Sequence, residues 1–478
     1  MAKEYEVIIG LEVHAELSTK TKIYCNCSTS FGADPNTHCC PICTGMPGTL
    51  PVLNEKVVEY AVKAGLATNC EISRFSKQDR KNYFYPDLPK AYQVSQYDLP
   101  LCIGGHIDIN VDGNKKAIGI TRIHIEEDAG KLIHDAYTGD TLVDMNRCAV
   151  PLIEIVSEPD IRSADEAIAY MQTLKSVLEY LEVCDCKMQE GSLRCDVNLS
   201  VRPVGQKEFG TRTETKNLNS FKAIANSIEF EIQRQIEVLN EGGKIYQETR
   251  RFDDNKGIGY AMRSKEDAQD YRYFPEPDLA PIVLEDKYIN DIKNSLPEMP
   301  HIKKERYIKD YELPEYDAEI LTSSKDSAAF FEKAADICKN PKAISNWIMG
   351  DFARMLNEKE IEITESKVTE ENLAKLITLM DKGTISSKMA KEIFEDMFET
   401  GDDPEEIVSK KGLVQISDEG AIKEIVEKVL ANNPQSIADY KAGKDRAIGF
   451  LVGQIMKETK GKANPQVVNK LLLEIINN

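Results

Sequence analysis

The feature that most constrains this chain is residues 122–161, where acidic side chains and histidine are interspersed with short β-branched runs. Apolar residues alternate with His124 and Glu126 in one segment, and with Glu154 in another. This period of two predicts strands with one buried face. A carboxylate between apolar neighbours is costly to leave unpaired, although any one of these acids alone would more simply face water. For the whole set we predict a hard cation, Mg²⁺ or Mn²⁺.

Residues 7–17 show the same alternation and predict a strand whose second face carries acids and an imidazole. Glu12 and His14 lie on that face, about 7 Å apart along the strand. A single histidine on a strand is more often a structural residue. Its pairing with Glu12, together with the second acid-rich segment, favours two ligands of one ion.

Five of the twelve cysteines lie between residues 25 and 43. Cys25 and Cys27 form one close pair, Cys40 and Cys43 form another, and twelve residues separate the pairs. Two such pairs joined by a loop predict a structural zinc site, in which all four positions are filled and no chemistry takes place. Cys39 is a spare thiol that could substitute in register. Free thiols in a loop are the alternative interpretation.

Residues 79–98 combine cations with four tyrosines and two prolines. Pro86 and Pro89 exclude a regular helix, so we predict an ordered loop. Lys81 and Lys90 among aromatic rings suit a polyanion such as ATP or an RNA terminus. A surface loop with incidental charges explains the same residues equally well.

The order of periodic segments predicts an α+β chain: a strand-rich domain with flanking helices up to about residue 290, then helices only. At 478 residues the chain is too long for one core. Its net charge is −20, yet residues 436–470 hold seven Lys or Arg against three acids. Phosphates attract such a patch, so we favour RNA binding there over a merely solvated helical face.

No apolar run approaches the eighteen residues that span a bilayer, and the first residues lack the basic flank of a signal peptide. We therefore expect no membrane association and a cytoplasmic protein. Reduced cytosolic thiols agree with metal ligation by the clustered cysteines.

Several long motifs resemble one known family: IGLEVHAEL, DRKNYFYPDLPKAYQ, HIEEDAGK, VDMNRCAVPLIEIVSEPD and LVGQIMKETKGKANPQ. They are similar to the B subunits of bacterial tRNA-dependent amidotransferases, from the first strand to the last helix. The resemblance implies a heterotrimer that amidates Asp-tRNA(Asn), Glu-tRNA(Gln) or both. In that family the A subunit, an amidase, frees ammonia from glutamine, and the small C subunit lies between the other two. The B subunit activates the aminoacyl group with ATP.

The resemblance also implies a domain order and a set of functional residues. The expected domains are a cradle domain over residues 1–292, an all-α helical domain over 293–405 and a helical tail domain over 406–478 that binds tRNA. The residues that match the family's Mg²⁺ site, with a catalytic role, are Glu12, His14, Glu127 and Glu154. Asp196 is a further candidate ligand, and the choice between Glu126 and Glu127 stays open.

The remaining assignments complete the expected site. The four cysteines Cys25, Cys27, Cys40 and Cys43 bind Zn²⁺; Lys81, Lys90 and Arg147 bind ATP; and Lys457, Lys460 and Lys462 contact tRNA. The competing hypothesis is a non-catalytic RNA-binding protein with a zinc-stabilised fold. It explains the cysteines and the basic tail, but it does not explain acids and a histidine gathered on separate strands.

Overall fold

The computed structural model describes residues 4–135, 137–264, 270–413, 419–441, 446–459, 463 and 465–477. The chain forms two compact units, Met1–Pro300 and His301–Asn478. The first boundary lies eight residues beyond the one predicted at residue 292. The predicted division of the helical part at residue 405 stays a prediction.

The first unit is built mainly from strands. In chain order they are β1 Tyr5–Glu16, β2 Glu71–Ile72, β3 Phe75–Ser76, β4 Asp79–Asn82, β5 Tyr92–Ser95, β6 Cys102–Ile103, β7 His106–Val111, β8 Asn114–Glu127, β9 Lys131–His134, β10 Thr141–Asp144, β11 Pro151–Ser157, β12 Leu193–Pro203, β13 Thr213–Leu218, β14 Glu248–Asp253, β15 Ile258–Ser264, β16 Phe274–Pro275 and β17 Ile282–Val283. Its helices are α1 Glu55–Ala67, α2 Ala164–Tyr180, α3 Phe221–Asn240 and α4 Asp286–Asn294.

One ten-stranded sheet dominates this unit, in the order β15-β14-β13-β12-β1-β11-β8-β6-β2, with β7 paired to β8. Neighbouring strands are antiparallel except β13 and β14, which are parallel. The central strand β1 buries Leu11, Val13 and Ala15 completely. Because side chains alternate along a strand, Glu12 and His14 are left on the opposite, polar face.

Helix α2 begins directly after Ser163. Ser163 is its N-cap, and the Ser163 hydroxyl accepts a hydrogen bond from the Glu166 backbone N–H at 3.1 Å. Helices α2 and α3 pack against each other, α2 also against β7 and α3 against β12. The buried apolar side chains of α2 thus help to cover the large sheet.

The prediction of a loop over residues 79–98 is wrong at both ends. Strands β4 and β5 pair antiparallel there, with Arg80 opposite Val94, and β16 joins β4 on its other side. Pro86 and Pro89 lie in the connection between the two strands, where no ladder hydrogen bond needs their missing N–H groups. The prolines exclude a helix, as expected, but they do not exclude a strand pair on either side of them.

The second unit is mainly helical over its described residues. Its helices are α5 Pro300–Asp310, α6 Glu315–Thr322, α7 Lys325–Cys338, α8 Pro341–Trp347, α9 Ala353–Lys359, α10 Glu370–Asp381, α11 Ser387–Thr400, α12 Pro404–Lys411, α13 Glu419–Asn432, α14 Pro434–Lys441, α15 Arg446–Glu458 and α16 Pro465–Asn477. A π-helical turn, Ile348–Phe352, joins α8 to α9, and a 3₁₀ turn covers Ile363–Glu365. The predicted α+β class, strand-rich and then all-α, is confirmed.

The described helices include none that is both long and apolar enough to cross a bilayer. The last four helices, α13 to α16, share a core of their own. Ile422, Val426, Leu451, Ile455 and Leu472 are among its most buried members.

Candidate functional site

The polar face of the large sheet collects charged side chains from five neighbouring strands. On β1, His14 lies opposite Arg194 of β12 on one side and opposite Glu154 of β11 on the other. Glu154 in turn lies opposite His124 of β8. The antiparallel ladders therefore hold these four side chains in one row across the sheet.

The first cluster on this face consists of His14, Glu126 and Glu154, whose possible ligand atoms all lie within 4.8 Å of one another. The distance from His14 Nε2 to Glu154 Oε2 is 3.3 Å. His124 Nε2 lies 3.2 Å from Glu126 Oε1 and 3.8 Å from Glu154 Oε2. Both carboxylates are buried. Oxygen and imidazole ligands at such separations suit one divalent cation.

The electrostatics of this cluster favour positive charge next to Glu154. Burial lowers the pKa of His14, but the hydrogen bond and the charge of Glu154 outweigh burial and raise it above its usual value. Burial and the charge of Glu126 raise the pKa of Glu154, whereas His124 and His14 outweigh both and lower it to about 2. A bound cation would occupy the same favourable potential as an imidazolium.

The second cluster consists of Glu12, Asp196 and Glu214, whose ligand oxygens also lie within 4.8 Å of one another. Lys216 Nζ lies 2.8 Å from Asp196 Oδ2 and 2.7 Å from Glu214 Oε1. Burial, and then the charge of Glu154, raise the pKa of Glu12. Among the predicted ligands, Glu12 and Asp196 therefore belong to a different group from His14 and Glu154.

Glu127 does not join the other predicted ligands, and Glu126 takes its place. Consecutive residues on a strand point to opposite faces, so Glu127 leaves the face that holds His124 and Glu126. Its Oε1 atom accepts hydrogen bonds from Lys90 and, at 2.8 Å, from the Val94 backbone N–H. A cavity of about 220 Å³ adjoins it, lined also by Tyr24, Cys43, Tyr92 and Glu276.

The three residues predicted to bind ATP lie at three different places. Lys81 borders the first cluster, with its Nζ 3.7 Å from Glu126 Oε1. Lys90 is paired with Glu127. Arg147 donates to the carbonyl oxygens of Ala129 and Gly130 at 3.0 and 2.8 Å. Of the three, Lys81 alone therefore lies on the polar face beside the first cluster.

A pair of carboxyl groups is formed by Glu16, the last residue of β1, and Asp128, which follows β8. Burial and the charge of Asp128 raise the pKa of Glu16 to about 8. Burial opposes ionisation of Asp128 as well, but Arg194 and then Arg147 outweigh it and lower the pKa of Asp128 to about 2. Arg194 Nη2 lies 2.6 Å from Asp128 Oδ2. One proton is thus held by Glu16 beside an ionised Asp128.

The four cysteines predicted to bind zinc converge. Possible ligand atoms of Cys25, Cys27, Cys40 and Cys43 lie within 4.8 Å of one another, and the Cys40–Cys43 sulfur distance is 4.0 Å. Four sulfurs at about 2.3 Å from a tetrahedral ion would be about 3.8 Å apart, so the group fits Zn²⁺. Cys39 lies outside the group and its thiol donates to the Asn36 carbonyl oxygen. All twelve cysteines are free thiols.

Hydrogen bonds among the sulfurs of the cysteine cluster stabilise a negative charge on Cys43. Hydrogen bonding from Cys25, helped by a backbone N–H at Cys40 and by the Lys22 ammonium, lowers the pKa of Cys43 to about 5 against the opposing effect of burial. The corresponding interaction with Cys43 and burial raise the pKa of Cys25. At least one thiolate is therefore present at neutral pH, which is the form that ligates metals.

Of the three lysines predicted to contact tRNA, the structure describes one. Lys457 is exposed in the last turn of α15 and forms no ion pair with any described residue. Lys460 and Lys462 lie outside the described residues. The proposed tRNA contact is therefore compatible with the exposure of Lys457 and is otherwise a prediction.

Sequence reasoning left the choice between Glu126 and Glu127 open and missed Glu214 as a site residue. The alternation of His124 with Glu126 was a usable signal, since it already placed Glu126 on the polar face. Glu214 lies in Thr-Glu-Thr-Lys, whose alternation predicts a strand with Glu214 and Lys216 on one face. However, nothing in the sequence around Glu214 indicates that β13 pairs with β12.

Three features together are typical of a metal-dependent enzyme that handles a large substrate. They are a sheet with two carboxylate clusters on one face, a four-cysteine loop and a separate helical unit. Comparison with known proteins gives the family. Residues 7–290 match the model described as the GatB/GatE catalytic domain, and residues 329–476 match the one described as the GatB domain.

The chain is also similar to curated proteins over nearly its whole length. The B subunits of the aspartyl/glutamyl-tRNA(Asn/Gln) amidotransferases from Caldicellulosiruptor bescii and Thermoanaerobacter pseudethanolicus are 65% and 63% identical, and each match covers 98% of this chain and 99% of the relative. The relative from Geotalea daltonii is 57% identical with the same coverage. The chain belongs to the family of tRNA-dependent amidotransferase B subunits. This confirms the resemblance and the enzyme class predicted from the sequence.

Proposed function

We propose that this chain activates the side-chain carboxylate of Asp-tRNA(Asn) or Glu-tRNA(Gln) and amidates it, as part of a cytoplasmic heterotrimer with the A (amidase) and C subunits. The relatives that match nearly the whole chain are named as B subunits of aspartyl/glutamyl-tRNA(Asn/Gln) amidotransferases, and this similarity supports the substrate class. The observation that best supports this reaction is the cluster of His14, Glu126 and Glu154 on the polar face.

The reaction needs an activation step because a carboxylate does not react with ammonia. The γ-phosphoryl group of ATP is transferred to a carboxylate oxygen, and ADP leaves. Ammonia released from glutamine then attacks the carbonyl carbon, the bond to the phosphate oxygen breaks, and inorganic phosphate leaves with the formation of the amide. The protein contributes position and charge to these steps.

We assign His14, Glu126 and Glu154 to one Mg²⁺, with Lys81 and Arg122 at its border. When bound, Mg²⁺ supplies positive charge against the phosphate oxygens. Lys81 Nζ lies 3.7 Å from Glu126, and Arg122 Nη2 lies 3.9 Å from Glu154. Both cations are loosely paired and can turn to a triphosphate on the same face. Lys81 is therefore the best supported of the three predicted ATP ligands, ahead of Lys90 and Arg147.

The zinc and tRNA assignments complete the proposal. Cys25, Cys27, Cys40 and Cys43 hold Zn²⁺ that fixes their loop, with Cys39 left free. The basic tail, with Lys457, Lys460 and Lys462, contacts the body of the tRNA through phosphates. In this proposal the tail does not bind the acceptor end of the tRNA.

The test is ATP cleavage by the purified heterotrimer with and without misacylated tRNA. We expect cleavage only when the tRNA carries Asp or Glu. His14→Ala should reduce it on the order of a hundredfold, as for other well-placed electrostatic groups, while glutamine hydrolysis continues. His134→Ala is the matched control, because His134 is exposed in the β9–β10 pair and bonds to Thr141. A complex that binds the tRNA without cleaving ATP would instead be a non-catalytic RNA-binding assembly.

A further inference from the structure

We propose that Arg251 and Tyr260, at the outer end of the polar face, bind the single-stranded 3′ end of the tRNA. They take a nucleotide that precedes the one carrying the amino acid: Arg251 contacts its phosphate, and the Tyr260 ring stacks on its base. This inference rests on the proposed function, because it assigns part of the path by which the tRNA reaches the first cluster.

The strand register places both side chains on the polar face. Lys216 of β13 lies opposite Arg251 of β14, and Arg251 lies opposite Tyr260 of β15. Thr249, two residues before Arg251, donates a hydrogen bond to Glu214 of the second cluster at 3.1 Å. Because side chains alternate along a strand, Arg251 shares the face of that cluster. Arg251 and Tyr260 therefore continue the polar face outward from the carboxylates.

The intervening residues of the same two strands point to the other face, which helix α3 covers. Arg250 Nε lies 3.2 Å from Glu231 of α3, and the Phe252 ring centroid lies 6.1 Å from that of Phe230 in the same helix. A Cβ atom at Gly259 would lie 3.0 Å from the Phe230 ring. The contacts of these neighbours with α3 confirm the alternation on both strands.

Arg251 is an exposed arginine that lacks a counterion. Within the part of the chain that the structure describes, its side chain forms neither an ion pair nor a hydrogen bond. Its neighbour Lys216 lies 2.8 Å from Asp196 and 2.7 Å from Glu214. Two cations side by side on one face of a sheet repel each other, so an anion bound at Arg251 relieves the repulsion. A phosphate suits this place, because the planar guanidinium presents several N–H donors in a fixed fork.

Strand β15 presents apolar and aromatic side chains to solvent at the edge of the large sheet. Tyr260 is 43% exposed, and Ile258 and Met262, two residues away on either side, are 37% and 58% exposed. Aromatic rings on a sheet surface, next to cations, are a common way to hold single-stranded RNA, because every base has a π-face that can stack. A tyrosine opposite an arginine thus suits one nucleotide, with its base on the ring and its phosphate at the guanidinium.

The distance from the first cluster indicates which nucleotide reaches this place. Strand β14 lies three strands from β1 in the sheet, which is about 14 Å at the usual strand spacing. In the proposed reaction the amino acid and the ribose that carries it lie at His14, Glu126 and Glu154. Arg251 and Tyr260 are too far from that cluster to contact the same ribose, so they receive an earlier nucleotide of the single-stranded end.

Binding of uncharged tRNA to the purified heterotrimer tests this inference, with intact tRNA and with tRNA that lacks its last three nucleotides. We expect Arg251→Ala and Tyr260→Ala each to weaken binding of the intact tRNA by about tenfold and to leave binding of the shortened tRNA unchanged. Arg251→Ala should also lower the salt slope for the intact tRNA by about one unit, since one phosphate contact is lost. Tyr260→Ala should leave that slope unchanged.

Conservative variants distinguish these contacts from a structural effect. Tyr260→Phe keeps the ring and should bind both tRNAs as the parent protein does. Arg251→Lys keeps the charge and should keep the salt slope. Lys222→Ala is the control for loss of a positive charge, because Lys222 is exposed in the first turn of α3, the helix on the other face of the sheet. It should change the binding of neither tRNA.

The length of the tRNA makes the result decisive. Equal weakening for both tRNAs, or unchanged binding of the intact tRNA in the two alanine variants, would overturn the inference. A defect in Tyr260→Phe as large as that in Tyr260→Ala would overturn the stacking contact. The expected loss in a complex that does not cleave ATP with misacylated tRNA would leave the contact standing and refute the proposed function. Normal ATP cleavage without a length-dependent loss would refute this inference alone.

Discussion

Two adjacent glutamates at the end of β8 have opposite surroundings, and this decides which one can bind a cation with His14. Glu126 shares the polar face with His124, and its carboxylate accepts hydrogen bonds from Gln93 and Ser95 at 3.1 and 2.6 Å. Glu127 lies on the other side, paired with Lys90. The alternation of side chains along a strand therefore predicts which residues share a site better than their proximity in sequence does.

The first prediction separates these two glutamates by the Mg²⁺ dependence of ATP cleavage. Glu126→Gln removes a proposed ligand, so we expect a rate lower by on the order of a hundredfold and a half-saturating Mg²⁺ concentration higher by about tenfold or more. Glu127→Gln is the matched control and should leave the half-saturating concentration unchanged, whatever its effect on the rate. The reverse pattern, with Mg²⁺ affinity lost only in Glu127→Gln, would contradict the assignment.

The second prediction concerns the proton on Glu16. Its folded pKa is raised from 4.5 to about 8, so the stability contributed by the neutral form is fully present below pH 4.5. That contribution is lost as the pH rises through about 8, at up to about 1.4 kcal/mol per pH unit. Glu16→Gln cannot ionise and keeps a donor towards Asp128. By scanning calorimetry the variant should gain stability relative to the parent between about pH 5 and 8, whereas a constant difference would contradict the prediction.

At the scale of elements, the cysteine loop shows how an irregular segment is positioned. Asn36 donates through its amide to the Val143 carbonyl oxygen at 3.1 Å and accepts from the Met145 backbone N–H at 2.8 Å. Asn146 makes similar bonds to the carbonyl oxygen of Asp34 and the backbone N–H of His38. The loop is thus held against the segment after β10 by side-chain amides, and the cysteine cluster completes its closure.

The third prediction tests the zinc at this loop. Cys43→Ser should lower the zinc content from one ion to well under one ion per chain, and should lower the unfolding temperature of the first unit by several degrees, since metal-binding energy contributes to folding energy. Cys39→Ser is the matched control, because Cys39 is next to Cys40 but outside the cluster. Full zinc retention in Cys43→Ser, measured by elemental analysis, would refute the site.

The elements that the sequence predicts well are those whose pattern is local. Local signals of this kind mark strands β1, β8 and β11 and the paired cysteines, and the structure has them where expected. Strands β4, β5 and β13 are short, and their partners are set by the topology of the sheet. Pairing between distant strands also decides that Glu12 meets Asp196 and Glu214 while His14 meets Glu154, which no single segment could predict.

At the scale of the whole molecule, charge is unevenly distributed along the chain. The chain has 80 acidic against 60 basic residues, yet residues 436–470 carry seven Lys or Arg against three acids. An acidic chain repels the polyanionic tRNA except where such a patch lies. Helices α13 to α16, to which the described part of this segment belongs, share a buried core.

The fourth prediction concerns this tail. Deleting residues 406–478 should weaken tRNA binding strongly while glutamine hydrolysis by the complex continues. Replacing Lys457, Lys460 and Lys462 together by Ala should weaken binding and flatten its dependence on salt, by roughly one unit of slope for each lost phosphate contact. The measurement is the tRNA dissociation constant at several salt concentrations.

A matched control distinguishes phosphate contacts from general loss of positive charge. Lys423 and Lys428 are exposed in the same tail, but each lies near a glutamate: Lys423 at 4.0 Å from Glu427 and Lys428 at 3.5 Å from Glu458. Their joint replacement by Ala removes two charges that are partly neutralised already, so the salt slope should change little. An equal loss of slope in both variants would mean that tRNA responds to the overall charge of the tail. An unchanged slope in the triple variant would make the lysines a solvated helical face.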